Sequence, residues 1–140
     1  MLKFLTHNTQ VHVRFNECDP LNIVWHGNYV KYFEDGREDF GRAYHFSYLE
    51  LYNQNGVSVP LVHLEMDYKK SVSFGEIIRV ETKLVDDPAA KIVFEYKIYN
   101  QANEIVCTGK TIQVFLDMEK KELLITMPEF FETWKKNYLK

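Results

Sequence analysis

Residues 28–43 read Asn-Tyr-Val-Lys-Tyr-Phe-Glu-Asp-Gly-Arg-Glu-Asp-Phe-Gly-Arg-Ala, and this stretch does most to decide the fold. Its large apolar residues recur every three or four positions and its charged residues take the opposite side, which is typical of an amphipathic helix. Gly36 lies on the apolar side, where glycine costs about 1 kcal/mol relative to alanine. We therefore predict a helix over residues 28–43 that another backbone approaches closely at Gly36, as when a sheet wraps around a helix.

The segments that follow predict a short second helix and then a run of strands. Ser47 and Glu50 have the spacing of a helix-capping box, and Asn55-Gly56 is a typical helix stop. Between residues 57 and 68 apolar and polar residues alternate, but the alternation shifts by one residue near Leu61. Such a shift indicates a β-bulge or a bend.

Alternation also predicts an opening strand over residues 11–15 and three later strands. The later strands are marked by Ile78, Val80, Thr82 and Leu84, by Ile92, Phe94, Tyr96 and Ile98, and by Ile112, Val114 and Leu116. Pro128 suits the first turn of a last helix. We interpret this helix as packing rather than chemistry, because it carries an apolar stripe of Phe130, Phe131, Trp134 and Tyr138. No alternation of strands with helices favours a parallel sheet, so the fold class is α+β with an antiparallel sheet.

Composition limits the classes of function. The chain has 140 residues, 46% hydrophobic and 26% charged, as expected for one globular domain over residues 1–140. Its formal net charge of −3 provides no positive field to hold nucleic acid. We expect neither a signal peptide nor a membrane span, because the first residues form no apolar run and no stretch reaches about 20 apolar residues.

The two cysteines, Cys18 and Cys107, are far apart and belong to no metal-ligand spacing. Neither a zinc site nor a disulfide framework is expected, and the sequence predicts no other metal site. A reduced, cytoplasmic setting fits this cysteine usage best.

Residues 16–26 follow neither a strand period nor a helix period and contain Asp19-Pro20, which marks a loop. The loop carries Asp19 and His26 and leads directly into the predicted helix. A helix N-terminus offers unpaired N–H groups and a partial positive charge, which stabilise an oxyanion. A carboxylate beside such a site suits hydrolysis: Asp19 would attack a carbonyl or take a proton from water, and His26 would donate a hydrogen bond or orient the substrate.

These residues also have purely structural interpretations. Asp before Pro is a common turn residue, and a His near a helix start also caps or packs. Glu34 and Arg37 have the i, i+3 spacing of a local ion pair, and we expect them to be structural. The sequence contains no nucleophile elbow for Ser–His–Asp catalysis and no Gly-rich phosphate loop.

Residues 14–29 read Arg-Phe-Asn-Glu-Cys-Asp-Pro-Leu-Asn-Ile-Val-Trp-His-Gly-Asn-Tyr and are followed by Phe33-Glu34 and Arg37. This motif resembles the signature of the 4-hydroxybenzoyl-CoA thioesterase family of hotdog-fold proteins, and a looser likeness covers nearly the whole chain. The resemblance implies a hotdog fold, in which an antiparallel sheet wraps one long helix. It also implies thioester hydrolysis without a metal or redox cofactor, in a homodimer or homotetramer whose subunits pair their sheets and share active sites.

The resemblance assigns roles residue by residue. Asp19 takes the position of the family's catalytic carboxylate, and His26 takes a position near the thioester. The backbone N–H groups of Gly27, Asn28 and Tyr29, at the helix start, would polarise the thioester carbonyl.

The resemblance also directs attention to the basic residues that bind coenzyme A. Where family members carry a basic cluster, this chain has Ala89-Ala90-Lys91, so Lys91 is the expected phosphate ligand and Lys69 and Lys70 are candidates to substitute for the missing bases. The expected function is hydrolysis of an acyl-CoA to a free acid and CoA. One alternative is an acyl-carrier-protein thioesterase, which the reduced basic cluster favours. The other is a noncatalytic module that binds acyl-CoA or a partner protein.

Overall fold

The computed structural model describes residues 3–139 as a sequence of helices and strands joined by short loops. The α-helices are α1 (Tyr29–Ala43), α2 (Tyr48–Asn55) and α3 (Glu129–Tyr138). The strands are β1 (Phe4–His12), β2 (Val57–Ser58), β3 (Leu61–Tyr68), β4 (Ile77–Val85), β5 (Lys91–Tyr99), β6 (Ile105–Val114), β7 (Leu116–Asp117) and β8 (Glu122–Leu123). Two 3-10 turns, Phe15–Glu17 and His26–Asn28, lie between β1 and α1. The predicted long helix and the α+β class are confirmed.

Five strands form an antiparallel sheet in the order β1-β4-β5-β6-β3, which packs around α1. The helix inserts Tyr32, Phe33 and Phe40 into the core, and all three side chains are fully buried. The ring of Phe33 stacks on that of Tyr96 in β5, with 4.2 Å between ring centroids. The predicted helix wrapped by a sheet is therefore confirmed.

Gly36 lies where α1 meets β4. A Cβ atom placed on Gly36 would lie 2.3 Å from Oγ1 of Thr82 and 3.0 Å from Cγ1 of Val80. The predicted close approach is confirmed, but the atoms that approach belong to side chains rather than to another backbone, because the inward side chains of β4 fill the gap between helix and sheet.

The first strand lies earlier than predicted. It covers Phe4–His12 rather than residues 11–15 and pairs along its whole length with β4. Polar side chains attach this strand to α1, since Nε2 of His7 and Oγ1 of Thr9 lie 2.9 and 2.8 Å from Oδ2 of Asp39. The hydropathy pattern does not reveal this strand, because polar side chains take part of its inward side and are held there by hydrogen bonds to Asp39.

The predicted last long strand is confirmed at Ile112 and Val114 but wrong at Leu116. The strand covers Ile105–Val114, and Leu116 belongs to the short β7. Ile112 and Val114, the apolar residues that marked this strand in the sequence, are only partly buried.

The polar residues Thr111 and Gln113 take the core positions of β6 instead, and both are buried. Hydrogen bonds offset much of the cost of burying them: Oγ1 of Thr111 lies 2.7 Å from the hydroxyl of Tyr96, and Nε2 of Gln113 donates to the carbonyl oxygen of Val59 at 2.9 Å, while the Gln113 Oε1 has no partner in the described chain.

The predicted strand over residues 57–68 is divided into two strands in different sheets. β2 pairs with β7 in a small three-stranded sheet, whereas β3 is an edge strand of the main sheet. The predicted irregularity is confirmed as a register shift between Leu61 and His63. All residues of β3 except Met66 are exposed, so its apolar side chains lie along an unpaired sheet edge.

The predicted short helix and tail helix are confirmed. Oγ of Ser47 accepts a hydrogen bond from the backbone N–H of Glu50 at 3.2 Å, and Gly56 ends α2 with a left-handed φ of 65°. In α3, Phe131 and Trp134 are buried, and Nε1 of Trp134 donates to the carbonyl oxygen of Tyr44 at 2.7 Å.

Arg37 does not form the expected ion pair with Glu34. Its side chain points into the protein, where Nε donates to the hydroxyl of Tyr48 at 2.7 Å and Nη1 to that of Tyr96 at 3.0 Å. Glu34 lies on the exposed side of α1. The charge pattern of the helix did not reveal this, because the partners of Arg37 are uncharged and distant in sequence.

Candidate active site

The loop before α1 folds back on itself and presents Asp19 at its tip. Cys18 pairs with Val24 in an isolated bridge, and the backbone N–H of Asp19 donates to the carbonyl oxygen of Ile23 at 2.8 Å. The N–H of Asn22 closes the turn onto the carbonyl oxygen of Asp19 at 2.9 Å, with Asn22 at φ 64°. Asn tolerates this left-handed conformation better than most residues, which suits it to the turn.

The carboxylate of Asp19 is half-buried and borders a cavity of about 320 Å³. Oδ1 of Asp19 accepts a hydrogen bond from the backbone N–H of Leu21 at 2.8 Å, which holds the side chain in place. The same cavity is lined by His26, Tyr29 and Tyr68. The structure thus brings together the two side chains predicted to act in catalysis and the first residue of the long helix.

The 3-10 turn at His26–Asn28 leads into α1 and fixes its first N–H groups. The N–H of Asn28 donates to the carbonyl oxygen of Trp25 at 2.9 Å, so this predicted oxyanion donor is already engaged. The N–H of Gly27 donates to no loop or side-chain acceptor within residues 3–139. A Cβ atom on Gly27 would lie 2.1 Å from the ring of Trp25, so a glycine lets this ring cover the turn.

Glu17 anchors the loop to the helix. Its Oε1 accepts hydrogen bonds from the backbone N–H of Arg14 at 2.8 Å and from the hydroxyl of Tyr32 at 3.1 Å. Burial and the neighbouring Glu17 carboxylate both raise the pKa of Tyr32, which therefore remains a hydrogen-bond donor. The Glu17 backbone oxygen also accepts from Nδ2 of Asn28 at 2.8 Å. These contacts make Glu17 a structural residue of the loop.

Tyr68, at the end of β3, is a site residue to which sequence reasoning gave no role. Its hydroxyl donates to the backbone oxygen of His26 at 2.8 Å, and its ring lies 5.2 Å from that of Tyr29. Burial raises the pKa of Tyr29 to about 12, so this phenol is neutral near pH 7. The only sequence signal for Tyr68 is its place as the last apolar residue of the alternating segment.

Neither cysteine has the properties of a nucleophile. Burial, followed by the Glu17 and Asp19 carboxylates, raises the pKa of the Cys18 thiol. Burial raises the pKa of the Cys107 thiol to about 12. Thiolates are the reactive form of cysteine, so these shifts disfavour thiol chemistry beside Asp19.

The three candidate coenzyme A ligands are not grouped together. Lys69 and Lys70 line the Asp19 cavity, but Nζ of Lys70 forms an ion pair with Glu104. Lys91 pairs with Asp87 at 3.7 Å and begins β5 at the end of the sheet opposite Tyr68. Within one chain, therefore, Lys91 lies far from Asp19.

Two further findings concern the described part of the chain. Residues 3–139 contain no group of three His, Cys, Asp or Glu side chains arranged to hold a metal ion. Among the helices in this range, none has the length and apolar character needed to cross a bilayer.

A sheet wrapped around one long helix, with a carboxylate at a cavity beside the helix start, defines the class of hotdog-fold hydrolases. The chain belongs to the thioesterase-like superfamily, whose family model matches residues 13–134. The predicted fold and family resemblance are thereby confirmed, and the protein is a thioester hydrolase.

Individual relatives agree with this assignment. The chain is 33% identical over 110 residues to "Putative acyl-CoA thioesterase YneP" of Bacillus subtilis, covering 79% of each chain. Its fold matches the crystal structure of DHNA-CoA thioesterase from Staphylococcus aureus with a TM-score of 0.83 at 27% identity, over 94% of this chain and 90% of that one. A 4-hydroxybenzoyl CoA thioesterase mutant complexed with 4-hydroxybenzoyl CoA shares the fold with a TM-score of 0.80 at 17% identity, over 92% and 97% of the two chains.

Proposed function

We propose that this thioesterase hydrolyses an acyl-CoA to a free carboxylic acid and CoA at the Asp19 cavity. The observation that carries the proposal is the position of a fixed carboxylate at a cavity beside the start of α1, where the N–H of Gly27 has no loop or side-chain acceptor in the described chain. The relatives named acyl-CoA thioesterase support the choice of substrate.

Two mechanisms fit this arrangement. In the first, Asp19 takes a proton from water while the water oxygen attacks the thioester carbon, the carbonyl oxygen becomes an oxyanion, and collapse breaks the C–S bond to release the CoA thiolate. In the second, Asp19 itself attacks and displaces the thiolate, and water then hydrolyses the mixed anhydride. In both, the N–H groups of Gly27 and Tyr29 stabilise the oxyanion.

His26 and Tyr68 act beside the reacting atoms. The imidazole of His26 lies against Trp25, with 4.9 Å between ring centroids, and would orient the substrate or donate a hydrogen bond to it. The hydroxyl of Tyr68 holds the His26 backbone and so positions the turn that carries the N–H groups. A thiolate is a good leaving group, so no strong general acid is required.

The acyl group could be carried by an acyl-carrier protein instead of coenzyme A. Lys70 and Lys91 are each paired with a carboxylate, which leaves Lys69 as the lysine at the cavity without an ion pair in the described chain. An acyl-carrier protein presents only one phosphate on its pantetheine arm and needs fewer bases than CoA. This observation keeps an acyl-carrier-protein thioesterase as the second candidate.

The unpaired edge of β3 favours a homodimer. Its exposed backbone groups and apolar side chains are suited to pairing with another strand, and the same edge of a second copy provides one. A two-fold axis through the middle of β3 would pair the strands antiparallel and continue the sheet. A tetramer would then be a pair of such dimers.

A reducing compartment suits the two free thiols. The reaction is accordingly proposed to take place in the cytoplasm.

The substrate assay measures thiol release from short, long and aromatic acyl-CoAs and from one acyl-carrier-protein thioester. Hydrolysis of CoA thioesters with kcat/KM above that of the carrier-bound thioester is the expected result. A clear preference for the carrier protein supports the second candidate, and no hydrolysis of any thioester refutes both. A protein that binds acyl-CoA without turnover would be the noncatalytic module.

The assembly is tested by light scattering of Leu64→Lys, in which a charge enters the β3 edge. Ile125→Lys is the matched control, because Ile125 is almost fully exposed outside the main sheet. We expect a dimer for the parent and the control and a monomer for Leu64→Lys. A monomeric parent, or a Leu64→Lys dimer of unchanged stability, would exclude pairing through this edge.

A further inference from the structure

The strand β1 ends the main sheet on the side opposite β3, and its outer edge pairs with no other strand of the described chain. At Val13 the backbone bonds toward β4: the N–H donates to the carbonyl oxygen of Glu76 at 2.9 Å, and the carbonyl oxygen accepts from Gly75 at 3.1 Å. Peptide groups alternate in direction along a strand, and β1 pairs with β4 without a register shift. The even-numbered residues from Thr6 to Arg14 therefore direct their N–H and C=O groups away from the sheet.

Side chains close the two ends of this outward row and leave its middle open. The hydroxyl of Tyr44 donates to the carbonyl oxygen of Thr6 at 2.9 Å, and Oε1 of Glu17 accepts from the N–H of Arg14 at 2.8 Å. Between these ends, the outward backbone groups of three exposed residues have no hydrogen-bond partner in the part of the chain that the structure describes: Asn8, Gln10 and His12. An extended peptide can add to such an open edge as one more strand.

A groove of about 830 Å³, which we call the β1 groove, runs beside these open backbone groups. Its walls are residues 8–12 of β1 and the exposed face of α1 from Lys31 to Arg42. The strand wall is about 14 Å long and the helix wall about 16 Å long. The β1 groove thus has the length of about five residues of extended chain.

The helix wall of the β1 groove is acidic in its middle. Lys31 and Arg42 border its two ends, and four carboxylates lie between them at helical spacing: Glu34, Asp35, Glu38 and Asp39. Like charges three or four residues apart on a helix repel one another. No Lys or Arg nitrogen of the described chain lies within 4.0 Å of these four carboxylates. A cationic ligand would therefore relieve a repulsion that the described chain leaves in place.

The electrostatics of Asp35 agree with this description. Partial burial, followed by the carboxylates of Glu17 and Glu38, raises the pKa of Asp35, although the charge of Arg14 acts in the opposite direction. The whole β1 groove carries five carboxylates against three Lys or Arg side chains. Its net charge is negative, which suits a basic ligand.

A second copy of this chain does not suit the edge of β1. Pairing of β1 with itself would bring two acidic grooves together, and their like charges would oppose the contact. The edge of β3 differs, because its exposed side chains include Leu61, Val62 and Leu64. The two edges of the sheet therefore favour different partners, an identical strand at β3 and a cationic strand at β1.

We propose that the edge of β1 from Asn8 to His12 is a docking site for an extended basic segment of another protein. The segment adds a strand to the sheet through the open N–H and C=O groups. Lysine or arginine at alternate positions of the segment share one side of the added strand and face the carboxylates of α1. This binding is separate from thioester hydrolysis, because the β1 groove and the Asp19 cavity share no lining residue.

Synthetic peptides test the proposal on the full-length protein. The probe is Thr-Lys-Val-Lys-Val-Lys-Thr with both ends blocked. One control peptide has Glu in place of each Lys, and the other keeps the charges but is N-methylated at the five central residues, so it cannot pair as a strand. We expect the probe to shift the amide NMR signals of Asn8, Gln10 and His12 and to slow their hydrogen exchange.

The two control peptides are expected to bind about tenfold or more weakly than the probe, because one reverses the charge complementarity and the other lacks backbone donors. Absence of saturable binding by the probe overturns the proposal. Equal affinity of the N-methylated peptide also overturns it, since charge alone would then account for the binding. Signal shifts confined to residues outside the β1 groove place the binding elsewhere and overturn it as well.

Variants locate the site on the protein. Glu38→Lys reverses a charge in the middle of the helix wall and should weaken binding of the probe about fivefold or more. Glu119→Lys makes the same change of charge outside the β1 groove and should have little effect. Gln10→Pro removes an outward N–H at a sheet edge, where proline is tolerated, and should prevent strand addition, with Gln10→Ala as its control.

Thermal unfolding verifies that each variant is folded. Glu38→Lys changes an exposed residue, so it serves as the test where the proline variant fails to fold. A folded Glu38→Lys protein that binds the probe as tightly as the parent overturns the proposal, and so does a folded Gln10→Pro protein with unchanged affinity.

Discussion

Replacing Gly36 with alanine tests whether the contact between α1 and the sheet is as tight as the structure has it. The new Cβ atom would lie 2.3 Å from Oγ1 of Thr82 and 3.0 Å from Cγ1 of Val80. Overpacking of a core costs roughly 1–3 kcal/mol, and a contact this short belongs in the upper part of that range. Alanine returns about 1 kcal/mol through its higher helix propensity. The net loss of stability is therefore about 1–2 kcal/mol.

Denaturant unfolding at fixed protein concentration measures this loss, with Thr82→Ala as the partner in a double-mutant cycle. Thr82 is the matched choice because its hydroxyl is buried without a hydrogen-bond partner in the described chain, so its removal leaves no new unsatisfied group. The Gly36→Ala/Thr82→Ala protein should be more stable than the sum of the two single effects predicts. A Gly36→Ala protein more stable than its parent would refute the close contact.

Three further predictions concern the site and the edge of the sheet. Tyr68→Phe removes the hydrogen bond to the His26 backbone and should lower kcat/KM about 3- to 10-fold. Steady-state kinetics measure this loss, and thermal unfolding should show little change in Tm. Lys91→Ala should raise KM for acyl-CoA with little change in kcat, because a remote phosphate contact supplies uniform binding; an unchanged KM excludes Lys91 as a CoA ligand. Burial acts to raise the pKa of Asp39, but two hydrogen bonds from β1 outweigh it and hold that pKa below its ordinary value of 3.8. The ionised Asp39 carboxylate therefore stabilises the fold above pH 3.8, and this stabilisation is lost as the pH falls below that value. The Tm difference between the parent and Asp39→Asn should accordingly shrink in acid.

Apolar periodicity was sufficient to predict those elements that bury one regular face. The helix over residues 28–43 and the strands β4 and β5 are of this kind, because their inward residues are nearly all hydrophobic. It failed for β1, whose inner side is held by hydrogen bonds to Asp39. It also failed for β6, where the polar Thr111 and Gln113 occupy core positions.

The candidate site was predictable only as far as its residues are contiguous in sequence. Asp19 and His26 lie in one loop and carry the family motif, so the sequence identified both. Tyr68 reaches this loop through a tertiary contact across 42 residues, which no local pattern contains. Arg37 was misassigned for the same reason, because its hydrogen-bond partner Tyr96 lies 59 residues away.

The decisive measurement is kcat/KM of Asp19→Asn for the best acyl-CoA substrate. Asparagine keeps the Oδ1 atom that accepts from Leu21, so the loop should retain its shape while the side chain loses its charge and basicity. Hydrolysis is expected to fall by about 10²–10⁴-fold, and by more if Asp19 is the nucleophile. His26→Ala should cost less, because His26 orients the substrate. An Asp19→Asn protein with the parent's Tm, assembly and full activity would show that Asp19 is only a turn residue and that hydrolysis takes place elsewhere.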